Sequence, residues 1–262
     1  MGNWAELSKE VEGMLRLRTF PLAWKRLSKK EELDKIPRVR HIEHPITFCQ
    51  AFTLARTAGW TVGATAADME WCGFKNICGL ARPTEEELSG VRRAGYWLKT
   101  PDDAQKQAQA MYRIPAGDAE AIVLAPLASE KFEPDVIMIY GNPAQLMMFC
   151  CGLQWTDYSR LEFTFVGETA CSDSVARCYV TGKPSLTLPC YGERRLGHVQ
   201  DDELVIAIPP NQLGKAIDGL KGLWAVGLRY PIPFYGAEAD NSPTLARAYG
   251  PEALAARKKA SG

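Results

Sequence analysis

Two short apolar runs in the middle of the chain constrain its fold more than any other feature. They cover residues 121–127 and 136–140, and Pro and Gly residues bound them. Continuous apolar runs of this length, bounded by turn residues, are typical of strands that are buried on both faces. They predict a central sheet flanked by helices.

The remaining periodicity and capping signals agree with this architecture. Helices are predicted over residues 3–18, 47–58, 100–112, 142–152 and 211–223, and further strands over 21–27, 60–64, 161–166, 185–188 and 204–208. We therefore predict an α+β (mixed α/β) fold with one globular domain over residues 1–229 and a central mixed sheet. Pro, Gly and Ala dominate residues 230–262, which predicts a peripheral C-terminal arm.

Charge and missing motifs exclude several classes of protein. The 262 residues contain 31 Lys and Arg against 31 Asp and Glu, so no net charge attracts nucleic acid or an anionic membrane. The first 18 residues lack the apolar core of a signal peptide, and no apolar run reaches a bilayer span of about 20 residues. We expect a cytoplasmic protein with no nucleic-acid or membrane partner. The chain also lacks G-x-G-x-x-G, a phosphate loop and G-x-S-x-G, which weighs against dehydrogenases of the Rossmann type, nucleotide hydrolases and α/β hydrolases.

Four of the eight cysteines lie beside predicted turns. Cys49 falls in the first turn of a predicted helix, where the helix dipole favours a thiolate. Cys72 opens a loop that contains glycine, Cys171 precedes a predicted helix, and Cys190 follows a predicted strand. No two cysteines are spaced C-x-x-C, so any metal centre must collect its thiolates from separated segments. These settings favour a thiolate-held metal centre over core packing.

The ordered set of short motifs resembles the domain of unknown function 169 family of bacteria and archaea. The motifs include Thr47-Phe48-Cys49-Gln50, Gly141-Asn142-Pro143-Ala144-Gln145, Cys171-Ser172-Asp173 and Cys190-Tyr191-Gly192-Glu193-Arg194. The resemblance runs from about residue 21 to residue 209. It implies that Cys49, Cys72, Cys171 and Cys190 belong to the family pattern, whereas Cys78, Cys150, Cys151 and Cys178 fall outside it.

Four cysteines can supply two kinds of closed metal site. Four thiolates are the ligand set of a 4Fe–4S cluster, and also of a structural zinc ion. The scattered spacing favours the cluster, because structural zinc usually takes its cysteines as close pairs. Reduced, partly buried thiols without a metal are the remaining alternative.

Other polar residues near these motifs are candidates for substrate contacts. Arg194 is predicted to bind a substrate carboxylate, unless it pairs with a neighbouring acid. Asp173 is a candidate general acid or base, with a helix cap as the alternative. Asn142 and Gln145 lie where a strand meets a helix, a common place for ligands, although Asn before Pro is also ordinary turn chemistry. Lone histidines in a charged loop, His41 and His44, are expected to be solvated.

These features lead to an expected function. We expect an iron–sulfur enzyme that acts on a small anionic organic substrate by reductive or lyase-type chemistry, with a ferredoxin-like electron donor in the reductive case. Two alternatives stay open: a non-catalytic electron carrier or redox sensor, and a structural-zinc or metal-free ligand-binding module. The C-terminal arm is compatible with packing on a partner subunit in a homo-oligomer.

Overall fold

One mixed sheet forms the centre of the computed structural model, which describes residues 3–42, 44–232 and 249–260. Its strands are β1 (Leu22–Leu27), β2 (Val39–His41), β3 (Thr61–Thr65), β4 (Ala121–Pro126), β5 (Val136–Gly141), β6 (Ser185–Thr187) and β7 (Leu204–Ile208). The order across the sheet is β2-β3-β4-β1-β5-β7-β6. Strands β2 and β3 are parallel, and the other pairs are antiparallel.

Alternate residues of the central strands contribute to two separate apolar cores. In β4, Val123 faces the first core, whereas Ile122 and Leu124 face the second. The same alternation holds in β5, where Ile137 and Met138 face opposite sides. Both faces of the central strands are therefore covered, as the apolar runs predicted. The expected mixed sheet flanked by helices is confirmed.

Helices cover both faces of this sheet. They are α1 (Trp4–Leu15), α2 (Phe48–Ala58), α3 (Phe74–Ile77), α4 (Glu85–Ser89), α5 (Pro101–Ala110), α6 (Pro143–Gln154), α7 (Arg177–Thr181), α8 (Tyr191–Gly197), α9 (Gln212–Ala225) and α10 (Pro251–Ala260). Helices α1, α6 and α9 pack on the first face, and α2, α3 and α7 contribute to the core of the second. Helix α8 packs against α2. A π-helical turn, Ser172–Ala176, leads into α7.

Local capping chemistry explains where the principal helices begin. Thr47 accepts the backbone N–H of Gln50, and the Gln50 side chain accepts the backbone N–H of Thr47. This reciprocal capping box satisfies two of the N–H groups that a helix start leaves unpaired. Helix α2 ends at Gly59, whose φ of 72° is the left-handed conformation that glycine adopts most easily.

The predicted strand over residues 161–166 is wrong. None of the described strands pairs with this segment, and side chains contact several of its backbone groups. Gln107 donates to the Val166 carbonyl and Arg177 to the Glu162 carbonyl, while the Asp173 carboxylate accepts the Val166 N–H. The segment is therefore held in place without joining the sheet.

The chain divides into two compact units, Met1–Pro231 and Ile232–Gly262. Helix α10 belongs to the second unit. Most of the predicted arm over residues 230–262 lies outside the described residues. Among the helices that are described, none combines the length and the apolar character needed to cross a bilayer.

Candidate metal centre

Four cysteines from four separate segments line one cavity of about 220 Å³. Cys49 lies in the first turn of α2, and Cys72 lies just before α3. Cys171 directly precedes the π-helical turn, and Cys190 is the N-cap residue of α8. The structure therefore brings together Cys49, Cys72, Cys171 and Cys190, which span residues 49 to 190. The other four cysteines do not line this cavity.

The packing of α2 on α8 brings two of the sulfurs close to each other. A Cβ atom on Gly192 would lie 3.7 Å from the Cys190 Sγ and 3.8 Å from the Cys49 Sγ. The two sulfurs are thus no farther apart than the sum of those distances. At Gly197 a Cβ would lie 2.9 Å from the Cys49 carbonyl oxygen, so glycine is needed there for the helices to approach. Gly197 thereby allows α8 to pack closely on α2, which brings Cys190 near Cys49.

Backbone N–H groups point at two of the sulfurs. The N–H of Phe48 donates to the Cys72 Sγ at 3.4 Å. Burial raises the pKa of the Cys72 thiol, and hydrogen bonds from the backbone of Phe48 and Phe74 oppose that rise. Burial and the charge of Glu193 raise the pKa of the Cys190 thiol, and backbone hydrogen bonds from Ala170, Glu193 and Gly192 oppose it. Such donors favour the thiolate, which is the form that binds metals.

The other two thiols are the more strongly perturbed ones. Burial raises the pKa of Cys49 and of Cys171 far above the ordinary value. The nearby charges of Glu193, Cys190 and Cys72 raise the pKa of Cys49 further, and the other three site cysteines do the same for Cys171. Without a cation the four thiols are therefore protonated near neutral pH. A bound metal supplies the positive charge that would ionise them.

The sulfurs do not converge on a single point. Within the part of the chain that the structure describes, no three His, Cys, Asp or Glu side chains lie close enough together to hold one metal ion. A tetrahedral zinc ion, with Zn–S bonds of about 2.3 Å, needs four sulfurs within about 4 Å of one another. The cavity is also large for one ion, since a single water needs only about 10–15 Å³.

A buried polar network lies beside these thiols. The Glu193 side chain is 1% exposed, and its Oε1 accepts a hydrogen bond from the Tyr140 hydroxyl at 3.2 Å. Burial raises the pKa of Glu193 to about 7, against the hydrogen bond from Tyr140 and the charge of Arg56. Arg56 lies over the Tyr140 ring at 4.4 Å and pairs with Glu203 at 3.0 Å. The network links the N-terminus of α8 to the interior of the second face.

Two guanidinium groups form another part of the cavity wall. Arg93 pairs with Glu168 at 2.9 Å. Arg113 donates through Nη1 to the Met111 carbonyl oxygen at 3.3 Å, and its Nε is buried without a hydrogen-bond partner. Burial lowers the pKa of Arg113, and the nearby charge of Arg93 lowers it further. The cavity therefore combines thiols with two arginines and two glutamates, Glu87 and Glu168.

The chain matches the DUF169 family, described as "Uncharacterised ArCR", over residues 10–219. This span is most of the chain and includes all four cysteines of the cavity. The chain belongs to the DUF169 family. It is similar to "Uncharacterized protein MJ0308" of Methanocaldococcus jannaschii, with 29% identity over 230 residues that cover 85% of this chain and 97% of the relative. No solved structure matches the chain. The predicted family resemblance is confirmed.

Two of the predicted site residues, Asp173 and Arg194, lie outside the cavity lining. The Asp173 carboxylate is buried and accepts the backbone N–H of Val166, so it holds the loop before the π-helical turn. Burial raises the pKa of Asp173. Arg194 donates to the Gln200 carbonyl at 2.6 Å and lies 3.9 Å from Asp201. Both side chains are thus engaged away from the cavity.

The predicted substrate contacts Asn142 and Gln145 also lie elsewhere. Together they form the capping box of α6, and Gln145 Nε2 donates to the carbonyl oxygens of Leu15 at 2.8 Å and Arg16 at 2.9 Å. These bonds tie the C-terminus of α1 to the start of α6. The pattern N-P-x-Q is itself a capping signal, so the helix start accounts for Asn142 and Gln145 without a ligand.

Sequence reasoning missed Arg93, Arg113 and Glu193 as residues in or beside the site. Glu193 and Arg194 are neighbours in one motif, but helix α8 turns Glu193 inward and leaves Arg194 part-exposed. Arg113 follows α5 in an irregular segment where no periodicity indicates a buried side. Only its place between the apolar residues Met111 and Ile114, both buried, was a possible signal.

Proposed function

We propose that Cys49, Cys72, Cys171 and Cys190 hold a 4Fe–4S cluster, and that the chain is an enzyme acting on a small anionic organic substrate. The observation that carries the proposal is that four cysteines from separated segments line a single cavity. Thiols that merely pack in a core have no reason to gather at one cavity with backbone N–H groups directed at their sulfurs. Hydrogen bonds to sulfur are among the features that tune iron–sulfur clusters.

The spacing of the sulfurs supports a cluster over a zinc ion. In a 4Fe–4S cluster each cysteine binds a different iron, so the sulfurs surround the cluster rather than meet at one point. The described residues contain no group compact enough for a single ion, yet four thiols face one space of about 220 Å³. The residues present therefore fit the larger group better.

The raised thiol pKa values weigh against a cysteine nucleophile. A reactive cysteine needs a lowered pKa, from a nearby cation or a helix N-terminus. Burial instead raises the pKa of each thiol in this cavity. Metal binding is the chemistry that such buried, clustered thiols support.

When bound, the cluster would supply electron transfer or, if one of the four cysteines stays off the metal and leaves an open iron, Lewis-acid polarisation of a substrate oxygen. The chain's own residues supply the binding. The Arg113 guanidinium, which has no ion-pair partner among the described residues, attracts an anion, and Trp71, 80% exposed, lines the cavity on its solvent side. These groups favour a catalyst over a simple electron carrier, since a carrier needs no substrate cavity. For reductive chemistry we propose a ferredoxin-like electron donor, in a reducing compartment such as the cytoplasm.

The test is the metal and sulfide content of protein purified without oxygen. We expect about four irons and four acid-labile sulfides per chain in the unmodified protein. Cys190→Ala should lose most of both. Cys151→Ala is the matched control, because this thiol lies on α6 outside the cavity and its loss should leave the iron unchanged.

Other results would point to a different function. If the purified protein contains zinc and no iron, the four cysteines hold a structural zinc ion and not a cluster. A metal-free protein whose folding is unaffected by Cys190→Ala would refute the metal centre and favour a ligand-binding module. An iron–sulfur cluster that is reduced reversibly, in a protein that binds no organic anion, would favour the electron carrier.

A further inference from the structure

We propose that Arg113 binds the carboxylate of a small organic acid inside the cysteine-lined cavity. The inference rests on the proposed function for the role of that cavity, and it names the substrate class and the residue that recognises it. It replaces Arg194, to which the sequence motif had assigned this role.

The carboxylates that line the cavity do not contact Arg113 directly. The nearby charge of Glu87 opposes the fall in the pKa of Arg113, but neither Glu87 nor Glu168 forms an ion pair with it. Arg93 is paired with Glu168. Glu87, which also lines the cavity, accepts hydrogen bonds from the backbone N–H and hydroxyl of Thr84 in the capping box of α4. Among the described residues, no carboxylate lies within ion-pair distance of Arg113. A partly buried charge without a partner is costly, and a bound anion would offset that cost.

The guanidinium of Arg113 is held in place but has donors to spare. Nη1 donates to the Met111 carbonyl, and Nη2 contacts the Met111 Sδ at 3.8 Å. An Arg93 nitrogen, Nη2, contacts the same sulfur at 3.8 Å, so the two cations lie side by side. A guanidinium has five N–H donors, of which the Met111 contacts occupy only part. The free donors can bind both oxygens of a carboxylate in the bidentate manner typical of arginine.

The rest of the lining selects an organic anion over an inorganic one. Phe74 and Ile77 are buried apolar residues of the wall, and Met111 and Leu196 add further apolar surface. A carboxylate at Arg113 would place its hydrocarbon part against these side chains. Phosphate or sulfate would gain nothing from them. The site therefore fits a small carboxylic acid whose polar end faces the two arginines.

Binding of butyrate to the full chain, purified without oxygen, tests this inference by calorimetry. Butyramide serves as the uncharged analogue and inorganic phosphate as the inorganic anion. We expect butyrate to bind, both other probes to bind at least tenfold more weakly, and Arg113→Met to weaken butyrate by about tenfold to a hundredfold. Arg113→Lys, which keeps the charge without the planar fork, should fall between. Arg92→Gln is the matched control, because Arg92 is exposed and paired with Glu86 outside the cavity.

A stability measurement separates recognition from a structural role. Removal of an unpaired, partly buried charge should leave the melting temperature of the ligand-free protein unchanged or higher, while the shift induced by butyrate disappears. If Arg113→Met instead fails to fold, the Arg113→Lys result decides. Equal binding in the Lys variant and the unmodified chain would mean that the bidentate contact is absent.

Three outcomes would overturn the inference. These are no binding of butyrate, binding lost in Arg194→Gln but retained in Arg113→Met, and phosphate binding as tight as that of butyrate. The proposed cluster fails by a different measurement. Butyrate binding that depends on Arg113 in a protein without iron would retain the acid site and reject the cluster, whereas full iron content without acid binding would do the reverse.

Discussion

The two faces of the sheet are equally well buried but chemically different. The first face packs against α1, α6 and α9 through side chains that are almost all apolar. The second face carries an apolar core too, but the buried charged residues of the described chain lie on or beside its elements. They are Arg26, Arg56, Asp173, Arg177, Glu193 and Glu203. All four cysteines of the cavity lie on this side as well.

This difference separates the stabilising part of the molecule from its chemical part. Burial of charge is costly unless each charge is paired and hydrogen-bonded, so a fold selected for stability alone has little use for it. Departures from an apolar core tend to occur at functional sites. We infer that the first face contributes mainly to stability. The second face is less stable than a fully apolar face would be, because its buried polar groups position the thiols.

The largest effect is expected where the second face buries an ion pair. Glu203 accepts from Arg56 Nη1 at 3.0 Å and from Nη2 at 3.3 Å, and both side chains are buried. Glu203→Ala would leave a buried guanidinium unpaired, so the free energy of unfolding in urea should fall by about 3–5 kcal/mol. The double variant Arg56→Met, Glu203→Leu should recover most of this loss, because both members of the buried ion pair are then removed together. A loss below about 1 kcal/mol in the single variant would mean that the second face does not depend on its charge pairs.

On the first face the corresponding weak point is steric. Helices α6 and α9 touch through their glycines, and a Cβ on Gly219 would lie 2.0 Å from the Gly152 carbonyl oxygen. Gly219→Ala should therefore force the helices apart and lower the free energy of unfolding by about 2–3 kcal/mol. Metal content should not change, because the cavity lies on the other side of the sheet.

The same helix provides the control for this glycine. A Cβ on Gly214 would meet no atom within 4 Å, so Gly214→Ala should stabilise α9 by up to about 1 kcal/mol. Iron lost in Gly219→Ala but not in Gly214→Ala would show that the two faces are coupled, contrary to a division between a stabilising and a chemical face.

The two faces also differ in how far the sequence predicts them. Apolar periodicity alone located β4, β5 and β7, because each central strand is buried on both faces and bounded by turn residues. The segment over residues 161–166 has apolar residues at alternating positions, a pattern that also predicts a strand, but none of the described strands pairs with it. Whether a partner strand lies next to a segment depends on the tertiary structure, so periodicity alone could not exclude a strand at residues 161–166.

The residues of the candidate site also differ in whether the sequence could reveal them. The four cysteines could be singled out from the sequence because each lies beside a predicted turn and not inside an apolar run. Arg113 could not be singled out in this way. It matters because no carboxylate of the described residues pairs with it, and the sequence does not show which charged side chains lie close together. Gln145 is the opposite case, because the local capping pattern explains its presence. Its side chain caps α6 and donates to the end of α1.

The smallest effect is expected where a charge pair of the second face reaches the surface. Arg26 is buried, but its partner Asp118 is largely exposed. The hydrogen bond from Arg26 lowers the pKa of Asp118. A lowered folded-state pKa adds stability at pH values above the unfolded pKa of about 3.9, and this stability is lost as the pH falls through the folded value. Since solvent screens the pair, Asp118→Asn should cost at most about 1 kcal/mol near pH 7.

The pH dependence distinguishes this pair from a packing effect. In urea unfolding, the difference between the unmodified chain and Asp118→Asn should shrink toward zero as the pH falls below the lowered folded-state pKa of Asp118, where the carboxylate is protonated in both states. Glu70→Gln, at an exposed acid outside this pair, should show no such change. Arg26 also donates to the Pro115 carbonyl and the Tyr179 hydroxyl, so it keeps partners when Asp118 is neutral. A loss as large as that of Glu203→Ala would therefore mean that burial of the cation alone, and not of the whole pair, determines the cost of charge on the second face.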